Sequence, residues 1–199
     1  MKKLLNSLVF VALLVTGTNI YSYSSDPKMF IDELVNDAIK TLGDKNITKD
    51  EKNKKIETIA LKNVDIDALG MYTLGPIRKT LDQNNLEIYK GLFKKYFLKS
   101  LTSRLTTYAD QKFEVIGADQ KSETYTSVDS RIVESLSQPE IKINWRIYTK
   151  DPINPLIRDL IVEGLSLAKT QKEEFASILN SNNNDINFLF VKLEEFINK

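Results

Sequence analysis

The 199-residue chain contains no cysteine and no histidine. The first absence excludes disulfides, thiolate nucleophiles and cysteine-bound metals, so stability must come from packing. The second removes the usual general base near neutral pH and the commonest metal ligand, and with them every Ser-His or Cys-His nucleophile. No metal site and no catalytic residue is assigned, since an enzyme with this alphabet would depend on carboxylates, lysine, tyrosine or an oxygen-bound metal. An excess of one charge is also missing, because the formal net charge is +1. A near-neutral chain has no general field for capturing nucleic acid, and no nucleic-acid partner is expected.

Long apolar runs are lacking except at the start. "MKKLLNSLVFVALLVTGTNIYSYSS" places Lys2 and Lys3 before an apolar stretch from Leu4 to Val15, followed by small and polar residues. That is the three-part pattern of a secretory signal peptide, with Ser22 and Ser24 as small residues at the cleavage region. The apolar stretch falls short of the roughly 20 residues that span a bilayer. No cysteine is present to carry a lipid anchor. Residues 1–24 are therefore read as a signal peptide and 25–199 as one domain, long enough to bury a real core. An exported chain without disulfides fits the bacterial periplasm, and a monomer is expected.

What is there changes period along the chain. Met29, Phe30, Leu34, Ala38 and Leu42 recur at three or four residues, with Gly43 as a C-cap. Asn46 to Lys55 reads as a solvated loop, followed by a helix near Ile56 to Leu61 and a short element around Ile66 to Met71. The longest helix candidate runs from Asn85 to Tyr108, its apolar face formed by Leu86, Tyr89, Phe93, Phe97, Leu101, Leu105 and Tyr108. From Lys112 to Val162 the period becomes two, most clearly where Ile141, Ile143, Trp145 and Ile147 alternate with Lys142, Asn144, Arg146 and Tyr148. Short links between successive strands predict an antiparallel meander. Helices over Thr170 to Leu179 and Asp185 to Ile197 close the chain. The fold class is α+β, with helices packed on one face of a curved antiparallel sheet.

"IRDLIVEGLSLAKTQKEEF", Ile157 to Phe175, carries two acids and a Gly-x-Ser. On a strand Asp159 and Glu163 lie roughly 13 Å apart, too far to flank one bond as paired glycosidase carboxylates do. Gly164-Leu165-Ser166 lacks the second glycine of a nucleophile elbow, and no histidine exists to activate the serine. The corner reads as a hinge: Gly164 permits a sharp exit and Ser166 ties down the turn.

At this corner the sequence resembles the MlaC family, the toluene-tolerance family of periplasmic phospholipid-binding proteins. Asp159, Glu163, Gly164, Ser166, Lys172 and Phe175 fill the positions of that family's C-terminal signature. "LGPIRKTLDQNNLEIYKGLFKKYF" is similar to its Leu-Gly-x-x-Arg and Phe-rich helix. Ile77, Leu156 and Gln171-Lys172 depart from the family pattern. The resemblance implies a carrier of glycerophospholipid between inner and outer membranes, helping to keep the outer membrane's lipid asymmetry. It would serve an inner-membrane MCE-domain/ABC transporter complex and an outer-membrane lipoprotein complex as its partners. Bound phospholipid would be cargo, and no cofactor is expected. Two acyl tails exposed to water cost on the order of 20 kcal/mol at about 0.8 kcal/mol per methylene. Enclosing them needs no proton chemistry.

The tails are expected in an apolar cavity between the sheet and the long helix. Leu74, Ile77, Leu81, Phe93, Phe97, Leu101, Trp145, Ile147, Leu160 and Val162 are the candidate lining, although apolar stripes of this kind are ordinarily core. Arg78 and Lys172 are candidates for the phosphate at the mouth. Two other readings stay open: a carboxylate-based envelope hydrolase using Asp159, Glu163 and Tyr148, and an envelope interaction module with a filled core.

Overall fold

The computed structural model describes residues 22–105, 111–134 and 139–199. Most of the expected signal peptide, and Tyr108 at the end of the expected long helix, lie outside the described residues. Helix α1, Pro27–Gly43, starts where Asp26 accepts the Met29 amide at 2.9 Å and Pro27 fills the first turn, which has no use for its missing N–H. Phe30, Ile31, Leu34 and Leu42 are buried, while Met29 points outward. Gly43 is the last helical residue and Asp44 is the cap, so the expected glycine stop is displaced by one residue.

Helix α2, Lys49–Asn63, begins inside the stretch read as a loop. Thr48 Oγ1 accepts the Glu51 amide at 3.3 Å, and the Glu51 carboxylate accepts the Thr48 amide at 2.7 Å, a reciprocal capping box. Only Ile56 and Ala60 are buried on this helix, so its apolar signal is thin. Helix α3, Ile66–Thr73, leads through a 3-10 turn, Gly75–Lys79, to α4, Gln83–Leu105. Helices α5, Leu167–Asn180, and α6, Ile186–Ile197, close the chain.

The sheet is an antiparallel meander in chain order: β1 Phe113–Ser122, β2 Tyr125–Ile132, β3 Ile141–Tyr148, β4 Leu156–Val162 and β5 Leu165–Ser166. Register shifts in the β1–β2 and β3–β4 pairs bend it, as bulges do, and its end strands do not pair with each other. The expected α+β class with a curved antiparallel sheet is the observed one.

The apolar interior is divided. One core lies among helices and gathers Leu74, Tyr89, Phe93, Phe175, Leu189 and Leu193 from α3, α4, α5 and α6 with their connections. The other lies on the sheet and gathers Phe30, Ile31, Leu34, Val128, Trp145 and Ile147. Val64, between α2 and α3, packs against both. The sheet is therefore covered by α1, which rests on β1 and β2, and α4 packs against α3, α6 and α2. This corrects the expected direct stacking of the long helix on the strands. The physical reason is the consecutive Phe30-Ile31 pair, which gives α1 a broad enough apolar side to seal the sheet.

Tyr89 shows how a polar atom survives in the helical core. It is fully buried, and its hydroxyl donates to the Gly70 carbonyl at 3.1 Å and pairs with Thr73 Oγ1 at 3.0 Å. Burial pushes that phenol well above its ordinary pKa, which keeps it a neutral hydrogen-bonding group. Gly70 has a second role, since a Cβ there would stand 2.8 Å from Phe93 Cδ1. Its bare backbone lets α3 and α4 approach.

Candidate functional site

The ten candidate lining residues fall on both cores. Leu74, Ile77, Leu81, Phe93 and Phe97 belong to the helical one, and Trp145, Ile147 and Leu160 to the sheet one. Leu101 and Val162 are half-buried and packed into neither. Leu74, Phe93 and Ile147 are core residues in this conformation, whereas Ile77, Leu81, Phe97 and Leu160 are half-buried at the margins. Trp145 is held by its own sheet, since its indole N–H donates to Ser130 Oγ at 2.8 Å and its ring meets Phe113 edge-on. Ile141 shares the inward face of β3 and is also half-buried.

The two cores are joined along β4. Val64 forms a parallel bridge with Ile157, and the Asp65 amide donates to the Ile157 carbonyl at 2.9 Å. Asp65 accepts the Ala68 amide through one oxygen, capping α3, and the Arg158 guanidinium through the other at 2.6 Å. Arg158 is placed there by the bulge opposite Arg146 and Ile147, and its guanidinium lies 3.4 Å from the Tyr148 ring centroid and bonds the Tyr125 hydroxyl. Sequence reading missed this joint. Asp65 and Arg158 are far apart in the chain, and a bulge leaves no mark in an alternating pattern.

The second joint is the corner with two acids. Asp159 Oδ2 accepts the Ser166 hydroxyl at 2.6 Å, and its Oδ1 accepts the Ala168 amide at 3.0 Å. Ser166 caps α5 by accepting the Lys169 amide at 3.0 Å. Glu163 and Gly164 both have positive φ, 48° and 81°, the conformation that a two-residue hairpin turn between β4 and β5 requires. Glu163 also bonds the β3 backbone at Lys142, through its amide at 3.0 Å and its carboxylate. Both acids and the serine are thus occupied with backbone and cap. Tyr148 lies under Arg158. Replacing Asp159 by alanine leaves a buried amide and hydroxyl without acceptors, and is expected to cost about 3 kcal/mol in a denaturant melt. A loss under 1 kcal/mol would remove the hinge reading.

Arg78 and Lys172 both approach the turn at Gly75. Arg78 donates to the Gly75 carbonyl at 2.8 Å and to the Met71 carbonyl at 3.3 Å, capping the end of α3. Gly75 has φ +67°, and the Lys172 side chain passes 3.5 Å from where a Cβ on it would stand. The Lys172 ammonium lies 5.1 Å from the centroid of the exposed Tyr72 ring. Two cations and an exposed aromatic therefore surround one left-handed turn.

Clefts among the described residues are small. One of about 190 Å³ lies at Leu42, Ile47, Lys49 and Lys52, and one of about 150 Å³ lies among Tyr96, Phe175, Phe196 and neighbours on α5 and α6. Both are smaller than the roughly 300–1,000 Å³ of ordinary ligand pockets. No group of three or more acidic side chains suited to a metal occurs among the described residues.

A family model described as MlaC protein matches residues 32–195. No functionally curated protein matches the chain. Among solved structures, a phospholipid-binding protein from Ralstonia solanacearum, in complex with a phospholipid, matches with a TM-score of 0.69. The match covers 84% of this chain and 94% of the other at 15% sequence identity, which makes it a likeness of fold.

Proposed function

The chain belongs to the MlaC family, and from that premise we propose that it is a phospholipid-binding protein, not an enzyme. It is exported to the periplasm and carries glycerophospholipid between inner and outer membranes for an ABC-type transport system that maintains outer-membrane asymmetry. Its partners are an inner-membrane MCE-domain/ABC transporter complex and an outer-membrane lipoprotein complex.

The observation that carries this reading is the divided interior. Two apolar cores adjoin at Val64, which packs against both, and the joints described at β4 are polar and directional. Where the two cores adjoin at Val64, the apolar surfaces have no directional bonds to break. Acyl tails inserted between them replace one apolar neighbour by another, so the net cost of parting is small. The joints along β4, Asp65 to Arg158 and Asp159 to Ser166, then serve as the hinge line. Leu101 and Val162, which neither core takes up, are where tails first find apolar contact. Leu74, Ile77, Leu81, Phe93 and Phe97 form one wall, and Trp145, Ile147 and Leu160 the other. At the turn around Gly75, the Lys172 ammonium and the N–H groups of Arg78 not pointing at carbonyls are available to a phosphate. The Ralstonia solanacearum protein of the same fold supports the reading by its bound phospholipid. Hydrolysis is disfavoured because Asp159 and Glu163 are tied to backbone groups and Ser166 is a helix cap.

The close packing of the two cores favours one rival, an envelope interaction module with a filled core. The experiment separates them. Protein stripped of lipid is mixed with phosphatidylglycerol and phosphatidylethanolamine vesicles, passed through gel filtration, and weighed by native mass spectrometry. A carrier gains the mass of phospholipid that survives the column. Protein that never gains it is the interaction module.

A further inference from the structure

Tyr23 stands inside the segment that a cut after Ser24 removes, yet it is half-buried and packed against the sheet core. Its ring meets Phe30 edge-on with centroids 6.3 Å apart, and it packs against the cluster that includes Ile31, Val128 and Ile147. Its hydroxyl donates to Asp37 at 2.6 Å. The next residue continues the attachment. The Ser24 amide donates to the Glu33 carboxylate at 2.7 Å, and Ser24 Oγ accepts the amide of Asp26, the cap of α1, at 3.1 Å. Burial, and then the Asp37 carboxylate, hold the Tyr23 phenol above its usual pKa, so the hydroxyl stays a donor.

We propose that the leader is removed by hydrolysis of the Ser22–Tyr23 peptide bond, leaving Tyr23 as the first residue of the exported protein. The inference rests on the export part of the proposed function and is independent of lipid binding. Water adds to the Ser22 carbonyl carbon and the C–N bond breaks, giving a carboxylate on Ser22 and an ammonium on Tyr23. Signal peptidases require a small residue just before the cut. Ser22 and Ser24 both qualify, and Ser22-x-Ser24 is the closer match to a small-x-small site. Sequence alone therefore favours cutting after Ser24. That cut strips the sheet core of a packed aromatic ring, α1 of two hydrogen bonds and its cap, Asp26, of a third. Cutting after Ser22 keeps all of these. It also creates a positive charge next to the residue whose amide Glu33 already holds, with Asp37 one helical turn further along the same side of α1.

The test expresses the full 199-residue chain in a Gram-negative host and measures the periplasmic product by intact mass and N-terminal sequencing. The expected product begins at Tyr23. A product beginning at Ser25, one beginning upstream of Tyr23, or uncut precursor overturns the assignment. Ser24→Phe supplies a second reading. It sits two residues beyond the proposed bond, so processing should continue at the wild-type position. If Ser24 instead precedes the cut, the bulky ring blocks it and precursor accumulates. Tyr23→Ala should lower the melting temperature of the processed protein by about 5 °C or more. An unchanged melting temperature removes the structural reason for keeping Tyr23. Masses are read whether or not lipid is bound, so failure here is distinct from failure of the carrier reading.

Discussion

Phe93→Ala lowers the stability of the lipid-free protein by about 4 kcal/mol and its melting temperature by roughly 10 °C, as measured by denaturant and thermal melts. The ring is 2% exposed and touches aromatic neighbours on several sides. It is stacked with Tyr89 at 5.8 Å and Phe97 at 6.3 Å, and meets Phe175 edge-on at 6.3 Å. On its fourth side it rests against the bare backbone of Gly70. Collapse of these neighbours into the vacated space is opposed by their own contacts, since Tyr89 is fixed by its bonds to Gly70 and Thr73. The full cavity cost therefore remains, and it is a large share of the roughly 5–15 kcal/mol that holds such a domain together. Phe93→Leu, which keeps most of the volume, should recover more than half of the loss. A cost below 1 kcal/mol for the alanine variant would show that the helical core is loosely filled.

The double variant Leu101→Asp, Val162→Asp behaves in the opposite way. Its phospholipid loading from vesicles falls at least tenfold, while its melting temperature falls by less than that of Phe93→Ala. Both side chains are half-buried and stand outside the two cores, so the empty protein loses less burial than at a core position. When tails occupy the seam, both carboxylates must be desolvated against hydrocarbon, which is expensive for a charged group. Leu101→Asn, Val162→Asn, with no charge to bury, should lose less. Loading equal to the parent's would move the lipid away from this margin. Collapse of the fold would show that the two residues are core after all.

Much of the architecture could be read from residue spacing because a half-buried strand and an amphipathic helix each leave a period behind. Ile141 to Ile147 gave the inward face of β3, and Leu86 to Leu105 gave the buried side of α4. The start of helix α2 escapes the pattern because none of its residues ahead of Ile56 is buried, which leaves only the Thr48–Glu51 cap as a signal there. The partner of each apolar face was the harder matter. A stripe says that a surface must be covered and is silent on what covers it. Hence α4 was laid on the sheet, where α1 in fact lies. Of the ten candidate lining residues, five belong to the helical core and three to the sheet core, a division that spacing alone does not reveal. The joints were not legible either. Arg158 depends on a bulge for its aim, and Asp159, Ser166 and Gly164 acquire their meaning only when the turn brings an acid under a helix end.

The divided interior also bears on the return journey. In the proposed carrier role, delivering cargo would leave an unladen molecule that must cross the same water to reload. If its hydrocarbon-facing walls stayed apart, each bilayer and each unladen sibling would offer them a more attractive neighbour than solvent. Apolar side chains gathered into two cores, as they are in this conformation, would conceal that stickiness until cargo is met again.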